Sequence, residues 1–363
     1  MRPYLGNLYG NPSSIHRYGR LTEKALKNAQ KQIAQIIGAS PEEILLTSGG
    51  TESNNTALFG LLNSKKKIIT TSIEHESILE PCRRLEELGF DVFYLPVDDT
   101  GMIDIQSLKN AITDETCLVS VMLANNEVGT IQPIKEISDI CRQKNIPFHS
   151  DAIQAVGKIP INVSQLGVDL LSISSHKLNG PKGIGALYIR KGIKLTPLIL
   201  GGGQQKGMRS GTENVAGAVG FGKACELALE NLQENGENMR RLRDYTISKI
   251  MEIPHVMYNG SKESRLPNNI HLTFLGVSGE DLIIKLDEHG IAASTGSACS
   301  VKTQKASHVL QAMGFSHEQI TGSLRLSIGI FNTKSEIDES IIILKKIVHE
   351  LRQVSPFKTK YNF

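Results

Sequence analysis

The chain has 363 residues, with 40 Lys+Arg against 37 Asp+Glu for a formal net charge of +3, 40% apolar residues and 21% charged ones. That length exceeds what one hydrophobic core serves, so two domains are expected, and the composition excludes a disordered chain. The near balance of charge gives no reason to expect nucleic-acid binding, and the longest apolar stretch, Cys117 to Ala124, broken by Ser120, is far short of a membrane span.

In chain order, Glu43–Thr47 reads as a strand, followed by Ser48-Gly-Gly-Thr-Glu-Ser-Asn, a turn opening into a helix that carries Thr56-Ala-Leu-Phe-Gly. Lys67–Thr71 is the next strand. Glu76–Leu88 follows as a helix, because Ile78, Leu79, Cys82, Leu85 and Leu88 recur near i, i+3, i+4 spacing. Then come a strand at Asp91–Leu95, a helix near Ile105–Ile112, a strand at Cys117–Ala124 and a helix over Pro133–Lys144. Short strands at Pro147–His149, Asp169–Ile173 and Gly185–Arg190 close the series. Strand–helix–strand alternation predicts right-handed crossovers and a mostly parallel sheet between helices. From Asn214 to about Ser248 the chain reads as one long or broken helical stretch linking two domains. Beyond Ile253, strands at Asn269–Phe274, Ile291–Ser294 and Leu324–Gly329 mix with helices at Gly279–His289 and Ser335–Val354, an α+β pattern. The polar tail Ser355–Phe363 is expected to be loosely held. The opening M-R-P-Y-L-G-N-L-Y-G-N-P has no apolar core of a secretory signal.

The densest chemistry lies in S-I-S-S-H-K-L-N-G-P-K-G-I-G-A, residues 172–186. A lysine just past a strand's C-terminal end sits where open α/β sheets bind ligands, and partial desolvation lets its amine form a Schiff base. Taken alone, Lys177 would be a solvated surface charge; the flanking Ser174, His176 and glycine-rich turn add phosphate-binding groups beside it. Asp151 ends another strand and could pair with a pyridinium nitrogen, or merely cap a helix. Ser48-Gly-Gly-Thr-Glu52 offers backbone N–H groups and a helix dipole, a phosphate cradle, although many strand-to-helix turns look alike. His75 follows a strand and could stack on a planar group, where a structural histidine is the plainer alternative. Asn125-Asn126-Glu127-Val-Gly-Thr supplies amide donors at the same sheet edge or an ordinary turn. Gly201–Thr212 is a glycine-rich loop whose hydroxyls and Arg209 could reach a phosphate, possible also across a dimer interface, or a plain surface connection. Arg325 at a strand start could clamp a carboxylate bidentately.

Five Cys are scattered without a C-x-x-C pair, which fits a reducing compartment better than disulfides or a zinc site. Cys82, Cys117, Cys141 and Cys225 sit in apolar helix or strand patterns and read as small core residues. Cys299, in Ser294-Thr-Gly-Ser-Ala-Cys-Ser300, lies in a small-residue loop that could present a thiolate.

Together, G-N-P-S-S-I-H (10–16), T-S-G-G-T-E-S-N-N (47–55), E-H-E-S-I-L (74–79), N-N-E-V-G-T (125–130), S-D-A-I-Q (150–154), S-S-H-K-x-x-G-P-K-G-I-G-A-L-Y (174–188), G-M-R-S-G-T-E-N (207–214) and S-T-G-S-A-C-S (294–300) resemble, in order and over nearly the whole chain, the cysteine desulfurases of the NifS/IscS group of fold-type I pyridoxal-phosphate enzymes. The last of these resembles the long cysteine loop of that group. The resemblance implies an α/β fold: a large cofactor-binding domain, residues 1–232, with a mostly parallel seven-stranded sheet flanked by helices, and a smaller C-terminal α+β domain, residues 233–363, carrying the cysteine loop. It implies that Lys177 holds pyridoxal 5'-phosphate, Asp151 pairs with its ring nitrogen, Gln154 bonds its ring hydroxyl and His75 stacks on the ring and moves protons. It implies that Gly50, Thr51, Ser174 and His176 bind the phosphate, with Thr212 coming from the partner subunit of a homodimer. Asn126, itself beside the cofactor, and Arg325 would hold the carboxylate of L-cysteine, and Cys299 would be the nucleophile that accepts sulfur as a persulfide. The implied partners are a sulfur-acceptor protein, either an iron–sulfur scaffold or a tRNA-thiolation enzyme, in the cytoplasm, with no metal, nucleic acid or membrane. The chain departs from the group's pattern at Ser175, Gln205-Lys206 and Ile330. Members of the group also begin earlier, with a strand and loop of the type Tyr-Leu-Asp-x-Ala-Ala-Thr-Thr, so the N-terminus is expected to be short. A catalytically impaired relative serving as a binding or regulatory partner is the competing expectation, weakened because Lys177, His75 and Cys299 are all present.

Overall fold

The computed structural model describes residues 1–62, 64–296 and 306–361. The chain divides into two compact units, one formed by Met1–Leu95, Ile105–Leu123 and Gln132–Leu232, the other by Pro96–Asp104, Ala124–Ile131 and Gln233–Phe363.

The first unit opens with helix α1 (Arg17–Ile36), which the sequence reading passed over. His16 caps it, its ring accepting from the Gly19 N–H, and Leu26, Ala29, Ile33 and Ala34 form its buried stripe. There follow β1 (Ile44–Thr47), α2 (Gly50–Gly60), β2 (Lys67–Thr71), α3 (Glu76–Glu87), β3 (Asp91–Leu95), α4 (Ile105–Ala111), β4 (Thr116–Ser120), α5 (Ile134–Gln143), β5 (Phe148–Asp151), α6 (Val163–Leu166), β6 (Leu170–Ser174), β7 (Gly185–Ile189) and α7 (Val215–Glu230). The seven strands run in the order β1-β7-β6-β5-β4-β2-β3. β3, β2, β4, β5 and β6 are mutually parallel, and β7 is antiparallel to both β6 and β1. The expected α/β class and mostly parallel sheet are thus observed. β4, β5 and β6 are buried at every position, as a sheet covered on both faces requires. Leu45, Leu58, Ile68, Ile78, Leu118, Leu170 and Leu187 form one apolar cluster there. Inside it His149 bridges Ser120 Oγ (2.8 Å) and Ser172 Oγ (2.9 Å), and burial pushes its pKa down to about 3, so it is a neutral tie between strands. The parallel strands bring Thr71, Ser120, Asp151 and Ser174 to one edge of the sheet, the edge at which open α/β sheets bind ligands.

The expected strand through Ala124 stops at Ser120 as a regular element. Val121 N and Leu123 N still donate to His149 O and Asp151 O, so the chain remains extended along β5 to Leu123 before it leaves the unit.

The second unit contains α8 (Leu232–Ile250), β8 (Val256–Tyr258), β9 (Asn269–Phe274), α9 (Gly279–Asp287), α10 (His308–Ala312), α11 (His317–Thr321), β10 (Ser323–Ser327), α12 (Lys334–Gln353) and α13 (Lys358–Tyr361). Its antiparallel sheet has the order β10-β9-β8, and Ile270, Leu272, Phe274, Leu282, Leu324 and Leu344 form its core. The strand expected at Ile291–Ser294 is not formed. Ile291 N is spent on Leu286 O, which closes α9, so only one bridge, Ser294 to Arg325, remains. As far as Tyr361 the tail expected to be loose is held: Tyr361 Oη donates to Glu318 Oε1 (2.6 Å) and Lys360 pairs with the same carboxylate (2.6 Å).

Candidate active site

In the first unit the site is built on Asp151, the last residue of β5. Its side chain is 5% exposed, Oδ2 accepts from Asn54 Nδ2 (2.7 Å) and Oδ1 from the Ile153 N–H (2.9 Å). Burial pushes its pKa up, against those two hydrogen bonds and the charge of Lys177. His75 caps α3, and its Nδ1 accepts from the Ser77 N–H (3.1 Å) and lies 2.9 Å from Ser77 Oγ. Asn54, on α2, donates to Ser77 Oγ as well (2.8 Å). Asp151 and His75 are legible in the sequence, whereas Asn54 and Ser77, within T-S-G-G-T-E-S-N-N and E-H-E-S-I-L, carry no mark of a role of their own.

Glu74 carries no such mark either, and it is fully buried beside His75. Glu74 Oε1 accepts from Met122 N (2.8 Å) and Thr71 Oγ1 (2.9 Å). Burial pushes this carboxyl up to about 8, and the nearby charge of Asp151 adds to the shift.

Lys177 stands on a single helical turn, Ser175–Leu178, immediately after β6, with its side chain exposed. Its neighbour His176 is held by Ser174, Oγ to Nδ1 at 2.9 Å, and its pKa is lowered by partial burial and by Lys177, Lys182 and Lys158. Gln154 accepts through its backbone oxygen from Lys158 Nζ (2.8 Å), and burial together with the charge of Lys177 pushes Lys158 down to about 8.

Gly50 opens α2, where Gly49 at the cap position supplies no side-chain acceptor, so the first-turn N–H groups carry the full partial positive charge of the helix end. A Cβ at Gly50 would stand 2.1 Å from Ile153 Cδ1 and 3.6 Å from Ser174 Cβ, which places this helix end against the chain after Asp151 and the end of β6. Thr51 is exposed in the same turn. Thr212 is exposed and lines a cleft of about 220 Å³ with Thr47, Ser48, Gly183, Arg209 and Asn214. Arg209, read from the sequence as able to reach a phosphate, pairs instead with Glu52 of α2, Nε to Oε1 at 2.9 Å. Burial raises the Glu52 carboxyl, but Arg209 and Ser48 outweigh it and hold the group below its usual range.

In the second unit Arg325, on β10, donates from Nη1 to the Asn126 backbone oxygen (2.9 Å). The Asn126 Oδ1 atom is buried and finds no hydrogen-bond partner among the described residues. Gly129, in the same turn, has φ +75° and lies so close to Asn269 that a Cβ would meet its side chain at 2.6 Å. Cys299 lies outside the described residues. The other four cysteines are buried thiols: burial pushes Cys82 and Cys141 up to about 12 and also raises Cys117 and Cys225.

A chain with this sheet, a lysine one turn past β6 and a buried aspartate ending β5 belongs to the aminotransferase class-V family, whose model matches residues 1–339. Its likeness within that family is to cysteine desulfurases. It is 50% identical over 366 residues to cysteine desulfurase IscS of Dictyoglomus turgidum, covering 99% of this chain and 93% of that one. A solved NifS-like protein superposes with a TM-score of 0.91 at 39% identity, over 96% of this chain and 94% of that one. A structure described as SspA in complex with cysteine superposes at 0.80 with 36% identity, over 92% and 94% of the two chains.

Proposed function

We propose that this chain is a pyridoxal-phosphate-dependent cysteine desulfurase, which converts L-cysteine to L-alanine and carries the released sulfur as a persulfide on Cys299. The observation that carries the reading is Asp151: a buried carboxyl whose oxygens accept from two neutral N–H donors, at the sheet edge that also bears Lys177. Such an acid is stabilised as the carboxylate by a cationic ring N–H brought against it. The uncapped α2 N-terminus beside Ser174 is suited in the same way to a phosphate dianion.

These residues fit the cofactor. Lys177 would hold it through its amine, Asp151 would face the ring nitrogen, Gln154 the ring hydroxyl and His75 the ring face. Asn126 would lie beside it, and Gly50, Thr51, Ser174 and His176 would bind its phosphate, with Thr212 serving the site of a partner copy in a homodimer. When bound, pyridoxal phosphate supplies a sink for the electron pair left at the substrate α-carbon. Lys177 takes the α-proton at its Nζ. Arg325 and Asn126 hold the substrate carboxylate, for which the planar guanidinium is geometrically suited. The Cys299 thiolate forms a bond to the substrate sulfur as the carbon–sulfur bond breaks. The electron pair of that bond stays with the β-carbon, which takes a proton, and return of the α-proton from Lys177 Nζ gives alanine. The persulfide then passes to an acceptor protein for iron–sulfur cluster assembly or tRNA thiolation. The setting is a reducing, cytoplasmic one, a reading that the free buried thiols support; no described helix is long and apolar enough to cross a membrane.

The test is to load purified protein with pyridoxal phosphate, record visible absorbance, and measure alanine and sulfide from L-cysteine. Wild type should bind the chromophore and turn over, Cys299→Ala should keep the colour and lose sulfur release, and Lys177→Ala should lose turnover. Full turnover by Lys177→Ala would overturn the assignment. A wild type that takes up no cofactor would point to a binding or regulatory role instead.

A further inference from the structure

Four side chains of the first unit form one unbroken hydrogen-bonded line, Asp151–Asn54–Ser77–His75, with separations of 2.7, 2.8 and 2.9 Å. Asn54 is wholly buried and Ser77 is 6% exposed. The direction of every bond in this line follows from elementary donor and acceptor rules. The Ser77 backbone N–H lies 3.1 Å from His75 Nδ1 and can only donate, so Nδ1 must accept. An amide nitrogen likewise can only donate, and Asn54 Nδ2 gives one proton to Asp151 Oδ2 and the other to Ser77 Oγ. The reversed amide would set its oxygen against the Asp151 carboxylate. Having accepted from Asn54, the Ser77 hydroxyl turns its own proton to His75 Nδ1. A neutral imidazole carries one proton, and with Nδ1 occupied as an acceptor it must reside on Nε2.

We infer that Asn54 and Ser77 are positioning residues that join the buried carboxylate of Asp151 to the imidazole of His75 and fix the ring as its Nε2–H tautomer. In that tautomer the nitrogen away from Ser77 offers a hydrogen bond and cannot accept a proton. His75 therefore orients and donates, and the acceptance of the substrate α-proton falls to Lys177 alone. Asn54 has a second effect, because its two donors tie α2, whose N-terminus is the phosphate cradle, to the residue that faces the ring nitrogen. A shift of α2 is felt at both ends of the cofactor position. The inference rests on the cofactor reading above for its consequence in catalysis, but not for the tautomer, which belongs to the protein alone.

The experiment uses protein labelled with 15N-histidine, first without cofactor. Comparison with His75→Gln identifies the His75 ring signals, which should show a bare Nδ1 and a protonated Nε2. A protonated Nδ1 in wild type would overturn the inference outright. Ser77→Ala should change the Nδ1 shift and, in the loaded enzyme, lower kcat about five- to tenfold with little change in KM, the loss of one neutral hydrogen bond. Ser77→Thr, which restores the hydroxyl, should recover both. Asn54→Ala should weaken cofactor binding by a similar factor, whereas Ser77→Ala should not. A purely structural role would lower the melting temperature of these variants and leave the 15N shift and the kcat-against-KM split unmoved, which would refute the inference. If wild type bound no cofactor while its 15N signals were as expected, the functional reading would fail and the relay would stand.

Discussion

The buried Glu74 makes a prediction about stability that can be worked from its surroundings. Its carboxyl is fully buried, receives two neutral hydrogen bonds through Oε1, and is pushed from 4.5 up to about 8. In the unfolded chain it titrates near its ordinary value. Below that value both states hold the proton and nothing is lost. As the pH rises from about 4.5 to about 8, the unfolded state gives up its proton while the native state keeps it, so stability falls, and the fall is complete above the native value. The full loss is on the order of 5 kcal/mol, from about 1.4 kcal/mol per pH unit. Glu74→Gln retains an acceptor oxygen for Met122 N and Thr71 Oγ1 and nearly the same shape, but does not ionise. Urea midpoints of wild type and Glu74→Gln, measured in parallel from pH 5 to pH 9, should therefore separate with pH. The variant should be equal or slightly weaker at the acid end and the more stable protein at the alkaline end. Groups that do not interact with Glu74 contribute equally to both proteins and cancel in the difference. A difference that stays flat across the range would show that Glu74 is ionised in the native protein and refute the argument.

Gly185 on β7 lies where a Cβ would meet Gly49 C at 2.7 Å, Gly49 Cα at 2.8 Å and Ile173 O at 2.8 Å, all backbone atoms. Gly185→Ala should therefore cost about 1–3 kcal/mol by overpacking and, by displacing the cap of α2, raise the dissociation constant for pyridoxal phosphate measured by absorbance titration. Of the five cysteines, Cys299 alone should be alkylated rapidly by iodoacetamide in the native protein, because burial holds the thiols of Cys82, Cys117, Cys141 and Cys225 in the unreactive form. Peptide mapping by mass spectrometry before and after urea unfolding reads this directly, and rapid native labelling of any of the four would contradict it.

The strands at Lys67–Thr71, Asp91–Leu95 and Asn269–Phe274 fall within the limits their sequences suggest, because β-branched and aromatic runs bounded by turn residues are a local signal. α1 was equally legible, with Leu26, Ala29, Ile33 and Ala34 at helical spacing, but its many polar residues masked the stripe. What the sequence could not disclose is of two kinds. Ile291 looks like a strand residue and is consumed in closing α9, a competition decided by the neighbouring helix end. Asn54 and Ser77 are small polar residues with no local pattern, and they acquire meaning only when the fold brings them to Asp151, which is 97 residues from Asn54. Arg209 is the reverse case: a plausible phosphate ligand by its loop, it is engaged by Glu52 once α2 is in place.

The two buried acids of the first unit are separated in role by what surrounds them. At Glu74 burial is the largest influence and the like charge of Asp151 adds to it, which favours the neutral acid. Asp151 is also raised by burial, yet it faces the charge of Lys177 and receives the Asn54 and Ile153 N–H groups, all of which favour the carboxylate. A cationic ring nitrogen placed on Asp151 adds the one interaction that would complete its ionisation, and a neutral Glu74 next to it leaves that charge undivided. Environments that push neighbouring titratable groups apart are a mark of acid–base chemistry. Here burial raises both acids, and the Lys177 charge favours ionisation at the end of β5. Glu74→Gln should consequently leave the visible spectrum of the loaded enzyme nearly unchanged, while Asp151→Asn, which removes the charge and keeps the shape, should abolish turnover with the chain still folded.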